Sequence, residues 1–141
     1  MPPNLRRYLP LILIAFFLIL ILPHVLKKKT TSASCHPGKS AKCVGVDLAN
    51  ANLSKANLTG ADFSLADLAG ADLQLANLTG ANLAGADISG ADLAGATLTH
   101  ARFRGANLMG ADLAGAVNAD LRGAIMCHTL LPSGHFSTQA C

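Results

Sequence analysis

Four cysteines are the residues of this sequence whose type and placement point most directly to chemistry. Cys35 and Cys43 lie just before a long repetitive stretch, and Cys127 and Cys141 lie just after it. An even number of cysteines in two flanking pairs favours disulfides formed in an oxidising compartment. A zinc site could instead combine either pair with the histidine that follows its first cysteine, but neither set has the paired CxxC spacing of structural zinc sites. The sequence has no CxxCH motif for a c-type haem, so we predict no cofactor and no metal ligand.

Aspartate is the only acidic residue type, and each of the eight aspartates stands immediately before a large apolar residue. No base, nucleophile or phosphate-binding loop accompanies them, so we predict no catalytic residue and no enzymatic activity. Carboxylates in this pattern are expected to meet backbone groups at turns and to solvate the outside. Aromatic residues make up only 4% of the chain and Trp is absent, which argues against a pocket for a small-molecule substrate.

The charge of the chain is divided between its segments. The formal net charge is +3, but five of the eleven basic residues flank an apolar N-terminal segment. Between Val46 and Gly123 the eight aspartates outnumber the four basic residues by four. The repetitive stretch is therefore acidic, and we predict no basic groove for nucleic acid.

The element that must position these residues has a period of five, x-[DN]-L-x-x, which runs without insertion from Val46 to Gly115. Five residues turn an α-helix by about 500°, so successive large residues would lie about 140° apart and share no face. A straight strand also fails, because an odd period sends alternate large residues to opposite sides. The chain must therefore turn a corner once per pentapeptide and wind around an axis, with small residues easing the corners. The large residues expected to fill the interior are Leu48, Leu53, Leu58, Phe63, Leu68, Leu73, Leu78, Leu83, Ile88, Leu93, Leu98, Phe103, Leu108 and Leu113.

This motif resembles that of the pentapeptide-repeat proteins, whose A-[DN]-L-x-x unit is matched over residues 46–115. The resemblance implies an all-β fold, a right-handed quadrilateral β-helix with four pentapeptides per coil and here about four coils. A vertical repeat of twenty residues would stack the large residues in four columns. It would also stack aspartates such as Asp47 and Asp67 about 4.8 Å apart, so raised pKa values or weak cation binding are an alternative to the turn-capping role.

The height that the resemblance implies for the coil stack also constrains the cysteines. Its two ends would lie roughly 19 Å apart, whereas the Cα atoms of a disulfide are about 5.5 Å apart. Pairing within each end, Cys35 with Cys43 and Cys127 with Cys141, is therefore expected.

Four larger residues occupy the outward position that is usually Gly, namely Lys55, Leu65, Leu75 and His100. We expect Leu65 and Leu75 to form a small contact patch for another protein, although single exposed leucines are also ordinary.

Two arginines lie close together near the end of the repeats. In the four-column frame Arg102 and Arg104 share a column with Asp62 and Asn82. We expect them to pair with these residues rather than to bind a ligand.

Residues 9–26, "LPLILIAFFLILILPHVL", contain no charged residue and lie between two arginines and three lysines. At about 1.5 Å per residue a helix of this length reaches roughly 27 Å, close to the hydrocarbon thickness of about 30 Å. One N-terminal transmembrane helix, an uncleaved signal-anchor, is therefore predicted. The alternative is a signal peptide cleaved after residues 31–33, which the intervening lysines disfavour. Basic residues on both sides leave the orientation open.

These observations predict four segments: a membrane anchor at 1–30, a linker and Cys-containing cap at 31–45, a β-helix at 46–123 and a Cys-containing cap at 124–141. The predicted function is a non-enzymatic, single-pass membrane scaffold whose repeat domain lies outside the cytoplasm and contacts another protein, as an auxiliary or assembly factor. The alternative that the resemblance offers is an acidic β-helix that imitates DNA and binds DNA gyrase, giving quinolone resistance. Free cytosolic thiols would favour that alternative, and oxidised pairs would oppose it.

Overall fold

The structure of the chain is a computed structural model that describes residues 35–138. The predicted anchor at 9–26, the alternative cleavage site at 31–33 and Cys141 lie outside the described residues. From Cys35 to Thr138 there is no helix long and apolar enough to cross a bilayer.

Parallel bridges between residues one coil apart define the fold. Residues 35–138 contain no helix and no strand longer than a single bridge residue. Between Lys42 and Val117 every bridge joins residues twenty positions apart, as in Asp47 with Asp67 and Asp67 with Asp87. Because one bridge occurs in each pentapeptide, four bridges belong to each coil, and the chain is a β-solenoid with four faces. The ladder begins at Lys42, within the predicted cap 31–45, and reaches Leu130, within the predicted cap 124–141.

The bridge residues define the four faces, which we number in chain order. Their side chains lie outside the coil and carry most of its polar groups. Face 1 holds Asp47, Asp67, Asp87, Asn107 and Ile125; face 2 holds Asn52, Asp72, Asp92, Asp112 and Leu130; face 3 holds Asn57, Asn77, Thr97 and Val117; face 4 holds Lys42, Asp62, Asn82 and Arg102.

A β-turn joins each face to the next. The N–H of Ala51 donates to the carbonyl of Leu48 at 3.0 Å, and the same bond recurs in the following pentapeptides. The third residue of each turn has a positive φ, +67° at Gly85 for example, which Gly adopts without the steric cost of a side chain. Larger residues hold the same conformation, with φ of 57–59°, at Asn50, Lys55, Leu65, Leu75 and His100.

Asp and Asn side chains hold these turns. The Oδ1 of Asp112 accepts from the N–H of Ala114 at 2.8 Å, and the Oδ1 of Asn77 accepts from the N–H of Thr79 at 3.0 Å. The same contact, two residues along the chain, recurs at most Asp and Asn bridge positions. The expected turn-capping role of these residues is confirmed.

The large residues fill the interior. Twelve of them are less than 2% exposed, namely Leu58, Phe63, Leu68, Leu73, Leu78, Leu83, Ile88, Leu93, Leu98, Phe103, Leu108 and Leu113. Leu53 is 9% exposed and Leu48 is half-buried, since both lie in the first coil. The alanine two positions before a large residue is buried beside it, as Ala81 is beside Leu83.

The first coil is closed by a disulfide. Cys43 occupies the large-residue position one level below Phe63, is 1% exposed, and is bonded to the half-buried Cys35 with a Cα–Cα distance of 5.3 Å. The predicted pairing of these two cysteines is confirmed, so neither thiol is available to a metal. Cys127 is disulfide-bonded as well. Its predicted partner, Cys141, lies outside the described residues.

The last coil is two residues shorter than the others. Asn107 pairs with Ile125 and Asp112 pairs with Leu130, eighteen residues apart instead of twenty. A regular pentapeptide would place a large residue and two turn residues between Val117 and the next inward Ala, but only Asn118 stands there. The coil then ends on Leu130, which forms an antiparallel bridge with Phe136.

Replacing a fully covered core residue should cost more than replacing its first-coil equivalent. Leu68 and Leu48 occupy the same column, but Leu68 is 1% exposed and Leu48 is half-buried. We expect Leu68→Ala to lower the free energy of unfolding by about 3 kcal/mol and Leu48→Ala by about 1 kcal/mol, because the end of the stack can relax around the smaller residue. Denaturant unfolding of the two variants measures the difference. Equal losses would show that the first coil is as tightly covered as the second.

Candidate interaction surface

The ionisable side chains lie on the outside of the coil. None of the Asp, His, Lys or Arg side chains between Cys35 and Thr138 is buried, and the only buried polar side chain in that range is Thr129. In the same range no three His, Cys or Asp side chains come together in a way that could hold a metal ion. The chemistry that this part of the chain offers is therefore that of its surfaces.

Charge is sorted by face. Six aspartates lie on the adjacent faces 1 and 2, namely Asp47, Asp67, Asp87, Asp72, Asp92 and Asp112. Amide side chains interrupt these acidic columns, since Asn107 donates to Asp87 at 3.1 Å and Gln74 donates to Asp92 at 2.5 Å. Face 3 carries no charged bridge residue, and face 4 begins with Lys42 and ends with Arg102. The solenoid thus presents two acidic faces, one neutral face and one face of mixed charge.

Asp62 on face 4 is the centre of a small hydrogen-bond network. Its Oδ1 accepts from the hydroxyl of Ser64 at 2.7 Å, from the N–H of Ser64 at 3.2 Å and from the amide of Asn82 at 3.0 Å. These bonds, those of Ser64 above all, hold the pKa of Asp62 below its ordinary value, and the charge of Lys42 adds to the effect.

Leu65 and Leu75 stand exposed at opposite corners of the coil, with 69% and 58% of their surface accessible. Ten residues are half a coil, so Leu65 lies at the corner between faces 4 and 1, and Leu75 at the corner between faces 2 and 3. Each covers the glycine of the next level. A Cβ added to Gly85 would lie 2.9 Å from Leu65 Cδ2, and one added to Gly95 would lie 2.7 Å from Leu75 Cδ2. The two leucines therefore form two separate apolar ridges rather than the single patch expected from the sequence.

A depression, which we call the notch, lies on face 4 where the coil shortens. Two adjoining hollows of about 670 and 530 Å³ share Ala101, Arg102 and Asp120 in their lining. The larger is also lined by Phe103, Arg104 and Arg122, and the smaller by Thr99, His100 and Asn118. The notch therefore lies between the level of Arg102 and the shortened level above it.

The notch has an excess of positive charge. Arg122 pairs with Asp120, its Nη2 lying 2.5 Å from Oδ2, and hydrogen bonds from Arg122 lower the pKa of Asp120. Neither Arg102 nor Arg104 makes a side-chain hydrogen bond or ion pair with any residue from 35 to 138. The expected pairing of these arginines with Asp62 or Asn82 is therefore wrong, because the amide of Asn82 is already bonded to Asp62.

The notch was not predicted from the sequence, although the sequence contains a signal for it. The five-residue frame slips at Ala116-Val117-Asn118 and resumes at Ala119. Such a slip removes one inward position and shortens one coil, and the depression lies beside it. Of the residues around the notch, sequence reasoning singled out Arg102, Arg104 and His100, and it placed Phe103 in the core.

The sequence matches the profile of the family described as Pentapeptide repeats, in eight copies over residues 41–80, 76–115 and 89–131. No curated protein matches it. Among solved structures it is similar to HetL of the cyanobacterium Nostoc sp. strain PCC 7120, a pentapeptide repeat protein involved in regulating heterocyst differentiation. The alignment has 27% identity, covers 70% of this chain and 63% of that one, and has a TM-score of 0.39.

Two further solved structures have comparable similarity. A pentapeptide repeat protein from the thylakoid lumen of Arabidopsis thaliana is 36% identical, with 58% of this chain and 62% of that one covered and a TM-score of 0.30. QnrB1, a plasmid-mediated fluoroquinolone resistance protein, is 20% identical, with 60% and 57% covered and a TM-score of 0.34. This chain therefore spans less than two thirds of the length of each of these three proteins.

Removing the hydroxyl of Ser64 should raise the pKa of Asp62. The bonds from Ser64 are the largest cause of its lowered value, so Ser64→Ala is expected to return that pKa toward 3.8. A carboxyl group whose pKa is lowered by folding stabilises the fold at pH values above its unfolded-state pKa, and this stabilisation is lost as the pH falls through its folded-state pKa. Because Ser64→Ala removes this stabilisation, the variant should begin acid unfolding at a higher pH. Carboxyl-detected NMR titration measures the pKa directly.

The matched control for this measurement is Ser54→Ala. Ser54 makes the same hydroxyl contact at 2.7 Å, but with the amide oxygen of Asn52, which does not titrate. The control should leave the pKa of Asp62 unchanged. A pKa of Asp62 that stays low in Ser64→Ala would assign the shift to Asn82 and Lys42 instead.

Proposed function

Since this chain belongs to the pentapeptide-repeat family, we propose that it is a non-enzymatic protein-interaction scaffold, held at a membrane with its repeats outside the cytoplasm. The observation that carries the proposal is the contrast between a uniform interior and a varied exterior. Leu, Ile or Phe fills every inward column of the repeats, whereas the outward positions differ from face to face in charge and polarity. A stiff coil with differentiated faces is suited to presenting surfaces to another protein.

The two leucine ridges support a contact role. A non-Gly residue with φ near +60° costs roughly 1–2 kcal/mol relative to Gly, and Leu65 and Leu75 hold φ of 59° and 57°. Both side chains are mostly exposed, so burial on folding offsets little of that cost. Strained and exposed apolar residues indicate a role beyond stability. We assign that role to contact with a partner protein.

The proposed location rests on the disulfide and on residues 9–26. Disulfides persist in oxidising compartments and are rare in the cytosol, and Cys35, Cys43 and Cys127 are all oxidised. The uncharged run at 9–26 is long enough to anchor the chain.

A second candidate function is imitation of DNA for binding to gyrase. The acidic columns of faces 1 and 2 favour it, because six carboxylates in two adjacent rows resemble the charge of a nucleic-acid backbone. The oxidised cysteines disfavour it, since gyrase works in the cytoplasm. We rank it below the scaffold role for that reason.

Thiol labelling in intact cells tests the location. With a membrane-impermeant maleimide, the extracytoplasmic scaffold should label only after a reductant is added, and intact mass should show that residues 1–30 are retained. Thiols that are free and label only after lysis would place the repeats in the cytoplasm. That result would overturn the proposed location and make inhibition of gyrase supercoiling the next assay.

Asparagine substitutions at the ridges test the contact role. Asn tolerates positive φ, so Leu65→Asn and Leu75→Asn should keep the turns and leave the thermal unfolding temperature unchanged or slightly raised. A photo-crosslinking residue on the adjacent neutral face, at Asn77, should give a discrete cross-linked partner in cells that is lost in Leu75→Asn. Lys55→Asn, one level below at the same corner, is the matched control and should retain it. If the cross-link persists in Leu75→Asn, the Leu75 side chain is not part of the contact.

A further inference from the structure

The basic side chains of the repeat region are concentrated at the notch. Four basic residues lie between residues 46 and 123, and three of them, Arg102, Arg104 and Arg122, line the larger hollow. The remaining one lies in the first coil. Asp120 is the single acidic residue in the lining, so three positive charges against one negative charge leave an excess of two. The repeat region, acidic as a whole, therefore carries a local basic site at its shortened coil.

The main chain beneath the notch is closed to a ligand. The chain's own residues 119–122 lie over the level of Arg102, and two of them are partly buried against the core. Ala101 and Phe103 are at most 5% exposed, whereas Arg102 and Arg104 are exposed. A ligand at the notch is therefore held by side chains only.

Arg102 and Arg104 are not engaged within the fold. Most bridge positions hold Asp or Asn, whose Oδ1 accepts from a turn N–H, as in Asp92 with Ala94 at 2.9 Å. Arg102 stands at a bridge position but carries donors only, so it cannot hold a turn in this way. Neither arginine makes a side-chain hydrogen bond or ion pair with any residue from 35 to 138. Their guanidinium donors are therefore available to a ligand.

Gly123 of the shortened level helps to place Arg104 at the larger hollow. A Cβ added to Gly123 would lie 3.6 Å from Arg104 Cγ and 3.8 Å from Arg104 Cα. The N–H of Gly105 donates to the carbonyl of Gly123 at 2.7 Å, which holds the two levels together at this point. The base of the Arg104 side chain is thus covered by the level above, although the residue as a whole is exposed. A covered base reduces the conformational entropy that the side chain would lose on binding.

A phosphate monoester matches these donors and charges. Guanidinium groups pair with phosphate or carboxylate oxygens through two parallel hydrogen bonds. A phosphate monoester carries a charge of about −1.5 to −2 at pH 7 and three acceptor oxygens, which matches the excess of two positive charges. A carboxylate or a phosphodiester carries one negative charge and would leave part of that excess unbalanced. The hollow of about 670 Å³ lies within the usual range of ligand sites, so it has room for the group that carries the phosphate.

The adjoining hollow of about 530 Å³ offers polar contacts for that carrier group. The Thr99 hydroxyl accepts from the Asn118 amide at 2.9 Å, which leaves the proton of the hydroxyl available to donate. His100 holds a φ of 58° at a corner where Gly is usual, and it is exposed. An exposed residue in a strained conformation indicates a role beyond stability.

We propose that the notch binds a phosphate monoester, whose phosphate group pairs with Arg102, Arg104 and Arg122 and whose carrier group contacts Thr99 and His100. A soluble phosphate ester and the headgroup of a phosphomonoester lipid present the same chemical group. The inference goes beyond the proposed scaffold role, because it assigns a ligand to one face of the solenoid. It does not use the leucine ridges or the location of the protein, so each can fail separately.

Side-chain NMR of the full chain in neutral detergent tests the site. The probe is glycerol 3-phosphate, compared with the diester glycerophosphoglycerol and with the carboxylate glycerate. The Nε–H signals of Arg102 and Arg104 should shift on addition of glycerol 3-phosphate. Both comparison compounds should bind about fivefold more weakly, because each carries one negative charge.

Vesicles distinguish the two sources of the phosphate group. The full chain in phosphatidylcholine nanodiscs is mixed with phosphatidylcholine vesicles that contain either phosphatidic acid, a monoester, or phosphatidylglycerol, a diester, at equal surface charge. A lipid ligand should make the protein float with the phosphatidic acid vesicles alone. With a soluble ligand the protein should bind glycerol 3-phosphate and float with neither kind of vesicle. Flotation with both kinds alike would show a general attraction to anionic surfaces and would contradict the proposal.

Three variants locate the site without threatening the fold. The double variant Arg102→Gln, Arg104→Gln should weaken binding of glycerol 3-phosphate about tenfold, since two charge-assisted pairs are lost. Its thermal unfolding should be unchanged, because neither side chain has a partner among residues 35–138. Arg104→Lys keeps the charge but loses the planar fork, so it should weaken binding about threefold. Lys55→Gln, which removes an exposed basic residue of the first coil, is the matched control and should leave binding unchanged.

Four results would overturn the proposal. The first is that neither glycerol 3-phosphate nor phosphatidic acid binds. The second is that glycerophosphoglycerol or glycerate binds as tightly as glycerol 3-phosphate. The third is a stably folded Arg102→Gln, Arg104→Gln variant with unchanged affinity. The fourth is a loss of affinity in Lys55→Gln as large as that in the double variant, which would assign binding to the charge of the whole chain.

Discussion

Each pentapeptide has to turn the chain through a quarter of a coil, and this closure constrains the rest of the structure. The third residue of every turn is held at a positive φ, which selects Gly or imposes a steric cost on any other residue. The narrow coil that results admits one large side chain and one Ala per pentapeptide, and these are almost completely buried. Variation is therefore concentrated at the outward positions, which are the bridge residue and the two turn residues that follow the large residue.

The same constraint decides what the polar residues do. Asp and Asn at the bridge positions hold the turn through their Oδ1 atoms, so most carboxylates serve the fold before they serve any ligand. Solvent and amide neighbours such as Asn107, which donates to Asp87, reduce the repulsion between carboxylates in the acidic columns. Differences between faces then arise from the choice between Asp, Asn, Thr and basic residues at positions that are otherwise equivalent. This is how a repetitive sequence produces a surface that distinguishes one side from another.

The periodic part of the fold could be predicted from the sequence, because it is local and repeated many times. The period excluded helix and straight strand, and it identified the interior residues and the turns. The sorting of those residues into four columns followed from the resemblance to the pentapeptide-repeat proteins. The pairing of Cys35 with Cys43 at the first coil followed from the stack height that the same resemblance implied. The prediction of a single patch formed by Leu65 and Leu75 was wrong because it required knowing which corners of the coil are neighbours. The two residues are half a coil apart and lie at opposite corners.

The predicted pairing of Arg102 and Arg104 with Asp62 or Asn82 was wrong for a related reason, because the amide of Asn82 donates to Asp62 instead. Column membership shows which residues stack but not which of them bond. The notch was missed because it depends on residues that the repeat omits. Two positions absent after Val117 change the offset of the following bridges from twenty to eighteen.

An interruption of the repeat changes what one face of a solenoid offers at its surface. Within a regular coil the N–H and C=O groups along the axis are paired between levels, so a complete face offers a ligand only side chains. Where the ladder lacks one bridge, above Arg102, the chain's own residues 119–122 still cover that level, and Ala101 and Phe103 are at most 5% exposed. The irregular pentapeptide therefore alters the surface through its side chains, by bringing Arg102, Arg104 and Arg122 together around the notch.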